Sequence, residues 1–304
     1  MNRAPAGPMQ WAANSLLKPN SFSVAEPHGG ALNAATARFG GAREEWTDCS
    51  TSINPWPYPT ADLDPALWSR LPEPEQIYEL EQVAAQCYGA PDANQVVAVP
   101  GSQALIQLLP RLLHPTTVNV LAPTYSEHTT AWHREGHDVS QCADVSSVSE
   151  AARVVVLTRP NNPDGSVVGA DDVAWLHRTM QARDGLLVVD EAFADLVPVE
   201  SLVGMVDDSH LLILRSLGKF YGLAGARVGL GIFGSEALAQ SVREALGPWP
   251  LTTPSVHVAT LALADKAWAA ATRENLAAVA ERTRVAFQEA GIPIVGQTDL
   301  FTLI

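Results

Sequence analysis

Between about residues 75 and 235, short apolar runs alternate with longer stretches of mixed polarity. Val96–Val99, Val118–Leu121, Val154–Leu157, Leu186–Val189, Leu211–Leu214 and Val228–Phe233 are mostly Val, Ile and Leu, without strict in–out alternation. That is the pattern of strands covered on both faces. Glu75–Tyr88, Ser102–Leu113 and Ala170–Arg183 predict helices between several of them. Strand–helix alternation at this spacing predicts an α/β fold, with a mostly parallel central sheet covered by helices.

The two ends have different textures. Residues 1–60 hold little periodic apolar content, and turn signals stand at His28-Gly29-Gly30 and Ile53-Asn54-Pro55-Trp56-Pro57. After Gly247-Pro248-Trp249-Pro250 the chain turns Ala-rich, with amphipathic helices predicted at Ser255–Asp265 and Thr272–Ala290. Gly291-Ile292-Pro293 closes the second, and short strands are predicted at Ile294-Val295 and Phe301–Ile304. The implied organisation is a flexible leader over 1–24 and an N-terminal segment over 25–60 packed on a smaller domain. A large domain over 61–245 and a small α/β domain over 246–304 complete it.

Composition narrows the class. With 304 residues, 47% of them hydrophobic, the chain is no disordered polymer. Its 19 Lys+Arg against 33 Asp+Glu give a net charge of −14, the wrong sign for a nucleic-acid footprint. Cys49, Cys87 and Cys142 form neither a CxxC pair nor a disulfide framework, which predicts a reducing, cytoplasmic setting. No apolar stretch reaches the ~18–20 residues of a membrane span, and the N-terminus lacks a secretory h-region.

Ligands of open α/β sheets gather at the carboxyl ends of the strands, so candidate chemistry is sought there. Gly101-Ser102-Gln103 opens a predicted helix, either as an ordinary cap or as an anion site. Tyr125 follows the second run, where an aromatic either packs or stacks on a flat ligand. Asn161-Asn162-Pro163-Asp164-Gly165 carries more Asn than a turn needs. Asp190 ends a buried run, where a carboxylate either caps a helix or meets a cation. Lys219, one of three lysines, sits among Gly and aromatic residues with Ser216 and Arg227 nearby. An amine, a carboxylate, a donor, an aromatic ring and an anion cradle together are the requirements of pyridoxal phosphate.

At these residues the chain resembles the fold-type-I pyridoxal-phosphate family, aminotransferase class I/II, over about residues 25–304. The resemblance implies Lys219 as the Schiff-base lysine and Asp190 as partner of the pyridine nitrogen. It implies Asn162 as donor to the phenolate oxygen and Tyr125 as the stacking ring. Gly101, Ser102, Ser216 and Arg227 would hold the cofactor phosphate, with Gln103 a further candidate. His28-Gly29-Gly30, Ser52-Ile53-Asn54-Pro55, Arg159 to Gly165 and Asp190-Glu191-Ala192-Phe193 resemble the threonine-phosphate decarboxylases of cobalamin biosynthesis. In that branch His28 and Asn54 would lie by the substrate phosphate, and Asn162 would also face the substrate.

Phe193 stands where aminotransferases usually carry Tyr, a departure that fits the decarboxylases. The implied reaction converts L-threonine O-3-phosphate to (R)-1-amino-2-propanol O-2-phosphate. A histidinol-phosphate-type aminotransferase and a non-catalytic relative binding the cofactor or a phosphoamino acid are the alternatives. The resemblance implies a homodimer with no metal, although Leu71 stands where relatives often carry a Tyr reaching the neighbour's phosphate. Members of the family continue about 25–30 residues further, at ordinary element lengths, through a segment bearing an Arg for the substrate carboxylate. The expectation is therefore a C-terminally truncated sequence.

Overall fold

Seven strands form one sheet in the order β1-β7-β6-β5-β4-β2-β3. They are β1 (Val96–Val99), β2 (Thr117–Leu121), β3 (Asp138–Cys142), β4 (Val154–Thr158), β5 (Leu186–Asp190), β6 (Leu211–Ser216) and β7 (Gly229–Phe233). Residues 29–60, 63–206 and 209–304 are described in the computed structural model. His28, one of the predicted substrate residues, lies outside them.

The described chain divides into two units between Thr51 and Ser52. The first contains helix α1 (Leu32–Phe39), with the Arg43 guanidinium donating to Asn33 Oδ1 and the Trp46 indole N–H donating to the Gly40 carbonyl. The sheet belongs to the second, and the predicted boundary at 245/246 falls inside that unit.

All six predicted strands form, because their residues are buried on both sides. Val96, Ala98, Val155, Leu157, Leu187, Val189, Leu211 and Ile213 enter one core, and Val97, Val99, Val154, Val156, Val188, Leu212 and Leu214 the other. Helices α2 (Pro74–Tyr88), α5 (Ala170–Ala182), α7 (Thr253–Ala264) and α8 (Lys266–Glu289) send Leu80, Leu176, Val258 and Leu276 into the first core. Helices α3 (Ser102–Leu112), α4 (Glu127–Arg134) and α6 (Glu236–Leu246) send Leu105, Trp132 and Val242 into the second. Their ends follow local rules: α2 starts at Pro74 and stops at Gly89 in the left-handed region, and Asp265 caps α8 at the Trp268 N–H.

The differences from expectation have physical causes. β3 is an additional strand that apolar runs do not reveal, because it is a partly exposed edge strand of polar composition, DVSQC. α4 and α6 are additional helices, short ones of 8 and 11 residues, and α8 begins at Lys266, six residues before the predicted Thr272. The terminal strands are β8 (Gly296–Gln297) and β9 (Thr302–Leu303), so the first is displaced from the predicted Ile294-Val295.

β7 organises one end of the sheet. It runs antiparallel between β1 and β6, so Gly229 at its start pairs with both Val99 and Ser216 at the carboxyl ends of its neighbours. Residues just before β7 are thereby carried to the same sheet edge as residues just after β1 and β6.

Candidate active site

The anion cradle comes from that register. Gly101 takes φ +80° before α3, and a Cβ there would lie 2.4 Å from Arg227 Nη2. A Cβ on Gly229 would lie 2.2 Å from the Ser102 nitrogen. Two glycines thus let the first turn of α3, the Arg227 guanidinium and the start of β7 close around one point. N–H groups of a helix's first turn lack intrahelical acceptors and favour an anion. The Ser216 hydroxyl, at the end of β6, accepts from the Gly218 N–H at 3.3 Å.

Asp190 ends β5 and is 4% exposed. One of its oxygens accepts from the Ala192 N–H at 3.0 Å, and the other lies 2.9 Å from His128 Nε2. Lys219 follows β6 on a loop, with its Nζ 5.5 Å from the centre of the Phe193 ring. Burial holds the Lys219 amine below the usual lysine range; Asp190 opposes that shift and Arg227 adds to it. Asp190 and Arg227 are therefore near enough for their charges to act on the Lys219 amine. Burial likewise raises the Tyr125 phenol, with Glu127 and Asp190 adding to it and Arg227 opposing. The Tyr125 ring stands edge-on to His128, 6.1 Å between centres.

Asn162 lies on the loop after β4, whose position is set by Asn161 donating to the Pro123 carbonyl at 2.9 Å. Among the described residues the Asn162 side chain meets no hydrogen-bond partner, so its amide is available to a ligand. Gln103 is committed otherwise: its amide donates to Glu127 and its oxygen accepts from the Tyr125 hydroxyl at 3.2 Å. Asn54 is 2% exposed and lies against the lysine loop, with both polar atoms of its side chain bonded to backbone.

The sequence profile of aminotransferase class I and II matches residues 61–304. The chain belongs to the aminotransferase class I and II family. It is 40% identical to the threonine-phosphate decarboxylase of Pseudomonas aeruginosa over 277 residues, covering 90% of this chain and 82% of that protein. It is 34% identical to the threonine-phosphate decarboxylase of a Sinorhizobium species over 281 residues, covering 91% and 83%. Its fold matches that of Sinorhizobium meliloti histidinol-phosphate aminotransferase, solved in complex with pyridoxal-5'-phosphate. The TM-score is 0.67, with 23% identity over 77% of this chain and 66% of that one.

Within this family member, sequence reasoning missed His128 and the layer behind the strands. His128 lies in the first turn of α4, just past Tyr125, and stands in no apolar run or motif that would have marked it. Arg215, one residue before Ser216, bonds Glu191 at 2.8 Å and Asp195 at 2.7 Å, all three closed to solvent. Glu191 directly follows Asp190, so this buried ion cluster joins the ends of β5 and β6 from behind.

The donor set fits pyridoxal phosphate. A withdrawn amine, a buried and oriented carboxylate, an uncommitted amide and a glycine-lined cationic cradle are the groups that cofactor needs.

Proposed function

We propose that this chain is a pyridoxal-phosphate-dependent decarboxylase of L-threonine O-3-phosphate, forming (R)-1-amino-2-propanol O-2-phosphate for cobalamin biosynthesis. The observation that carries the reaction is the 40% identity to a threonine-phosphate decarboxylase over 90% of the chain. Phe193 in place of the usual aminotransferase Tyr supports it.

Lys219 would attach the cofactor, and Gly101, Ser102, Ser216 and Arg227 would bind its phosphate. Tyr125 would cover the ring, and Asn162 would donate to its phenolate oxygen. Asp190, oriented by His128, would supply the negative charge that favours a proton on the ring nitrogen. When bound, pyridoxal phosphate supplies an electron sink for the pair left on the α-carbon as carbon dioxide departs. With the substrate amine in its place on the cofactor, the freed Lys219 amine would hold at Nζ the proton that returns to that carbon. Substrate orientation across the site decides which α-carbon bond breaks. A substrate phosphate held at one end, by a residue such as His28, would provide that orientation.

We read the working form as a cytoplasmic homodimer. Among the described residues, no helix is long and apolar enough to cross a membrane. An apolar groove of about 290 Å³ beside α2, lined by Ile77, Tyr78, Leu246 and Trp249, supports an interface with a second copy.

Incubation of the loaded protein with L-threonine O-3-phosphate should release carbon dioxide and aminopropanol phosphate without an oxo-acid. Absence of that product, with histidinol phosphate reacting instead with 2-oxoglutarate, would overturn the proposal.

A further inference from the structure

The strap Ser52–Tyr58 runs along the loop that carries Lys219. The Asn54 N–H donates to the Lys219 carbonyl at 3.1 Å, and the Tyr58 N–H donates to the Tyr221 carbonyl at 2.9 Å. Between these bonds, Asn54 Nδ2 donates to the Phe220 carbonyl at 2.8 Å, while Oδ1 accepts from the Trp56 N–H at 2.9 Å. Three consecutive carbonyls of the lysine loop are therefore held by one short segment, two of them by Asn54. The closeness is enforced from the other side. Gly222 takes φ +66°, and a Cβ there would lie 2.7 Å from Pro57 Cα and 3.0 Å from the Asn54 carbonyl oxygen.

This loop is neither helix nor strand, so its carbonyls have no ladder to hold them. The Lys219 carbonyl also accepts from the Gly222 N–H at 3.0 Å, a tight turn that leaves the Phe220 carbonyl facing the strap. The Phe220 and Tyr221 side chains are buried, with their rings against Trp268. With the two side chains that follow and all three carbonyls fixed, the point from which the Lys219 side chain departs is fixed too.

We infer that Asn54 is a positioning residue for Lys219: its carboxamide locks the lysine loop to the strap Ser52–Tyr58, in place of gripping the substrate phosphate. The inference rests on the reading of Lys219 as the cofactor lysine. Its chemistry is that of a buried amide whose donor and acceptor are both spent on backbone. Loss of the donor strands the Phe220 carbonyl, and displacement of a reacting group by ~1 Å costs up to about 100-fold in rate.

Asn54→Ala and Asn54→Asp test it, the second keeping an acceptor for Trp56 but offering Phe220 no donor. Three readouts separate the possibilities: amide hydrogen exchange across 215–228 in the cofactor-free protein, the pH midpoint of the bound cofactor's absorbance, and kcat and KM for L-threonine O-3-phosphate. We expect exchange across the loop to quicken about tenfold and the absorbance midpoint to move. The kcat should fall about tenfold with KM changed less than about twofold, as for a lost buried hydrogen bond felt only through Lys219.

A raised KM with kcat, exchange and midpoint unchanged would overturn the inference, because Asn54 would then be a substrate ligand. No change in any readout would overturn it as well. Should both Asn54 variants fail to fold, Gly222→Ala pushes the strap off the loop with Asn54 intact, and unchanged exchange and midpoint there would equally overturn it. Exchange and midpoint need no turnover, so an error in the proposed reaction leaves them decisive.

Discussion

His128 Nε2 lies 2.9 Å from Asp190 Oδ2, and the two residues are 1% and 4% exposed. An ionised carboxylate only accepts, so this bond requires the proton on Nε2. The other carboxylate oxygen is taken by the Ala192 N–H, which leaves Asp190 one orientation. His128→Leu should therefore weaken the site more than its distance from the chemistry suggests. The loss of a hydrogen bond to a charged group, about 1.5–3 kcal/mol, predicts a fall in kcat of about 10- to 100-fold. His128→Gln keeps a side-chain N–H and should lose less. Steady-state kinetics with both variants check it.

Lys219 sets a pH dependence of stability in the cofactor-free protein. Burial lowers its pKa from the ordinary 10.5. Below the lowered value both folded and unfolded chains carry the charge, and its burial costs stability in full. Between the lowered value and 10.5 the unfolded chain binds more protons, so stability rises with pH across that window. Lys219→Met should be more stable than the parent at neutral pH, by about 1 kcal/mol, the ordinary size of a single-site change. The gap should close as pH approaches 10.5, which urea unfolding at several pH values measures. The same variant should retain no pyridoxal phosphate after borohydride reduction, whereas the parent should keep it.

The cradle tests the cofactor phosphate. Gly101→Ala would drive a methyl into the Arg227 guanidinium at a positive φ, and Gly229→Ala would drive one into the Ser102 nitrogen. Each should weaken pyridoxal phosphate binding by about tenfold or more, as expected when a charge-assisted bond is lost. Binding of pyridoxal, which lacks the phosphate, should change less. Fluorescence titration with the two ligands distinguishes these outcomes.

Arg215 carries no predicted catalytic role, yet its removal should be severe. Its guanidinium is fully enclosed between Glu191 and Asp195 and lies over the Tyr88 ring at 4.1 Å. Arg215→Met would leave two buried carboxylates without their cation, at a cost of about 3–5 kcal/mol. Chemical denaturation of the cofactor-free variant reads the loss directly.

Much of the candidate site can be picked out one residue at a time. Lys219, Asp190 and Tyr125 each stand at or just beyond the carboxyl end of an apolar run, where an α/β sheet gathers ligands, whereas Arg227 stands just before one. Gln103 shows the limit of that reasoning. It occupies the helix start expected of a phosphate ligand, but its side chain turns to Glu127 and Tyr125. Asn54 shows it more sharply, since only the fold brings it to Phe220, 166 residues away.

Most element types were written into the order of residues, because strands covered on both faces must be continuously apolar and helices must carry a stripe; the polar edge strand β3 was not. The chemical inventory of the site was written there too. Strand order came only with the closed fold, and with it the antiparallel insertion of β7 that carries Gly229 to both Val99 and Ser216. The partnership of His128 with Asp190 across 62 residues, and the seat of Asn54 on the lysine loop, came the same way. Contacts between distant segments leave no local periodicity in the chain. They exist only once the two cores have closed on the sheet and fixed which loop ends meet.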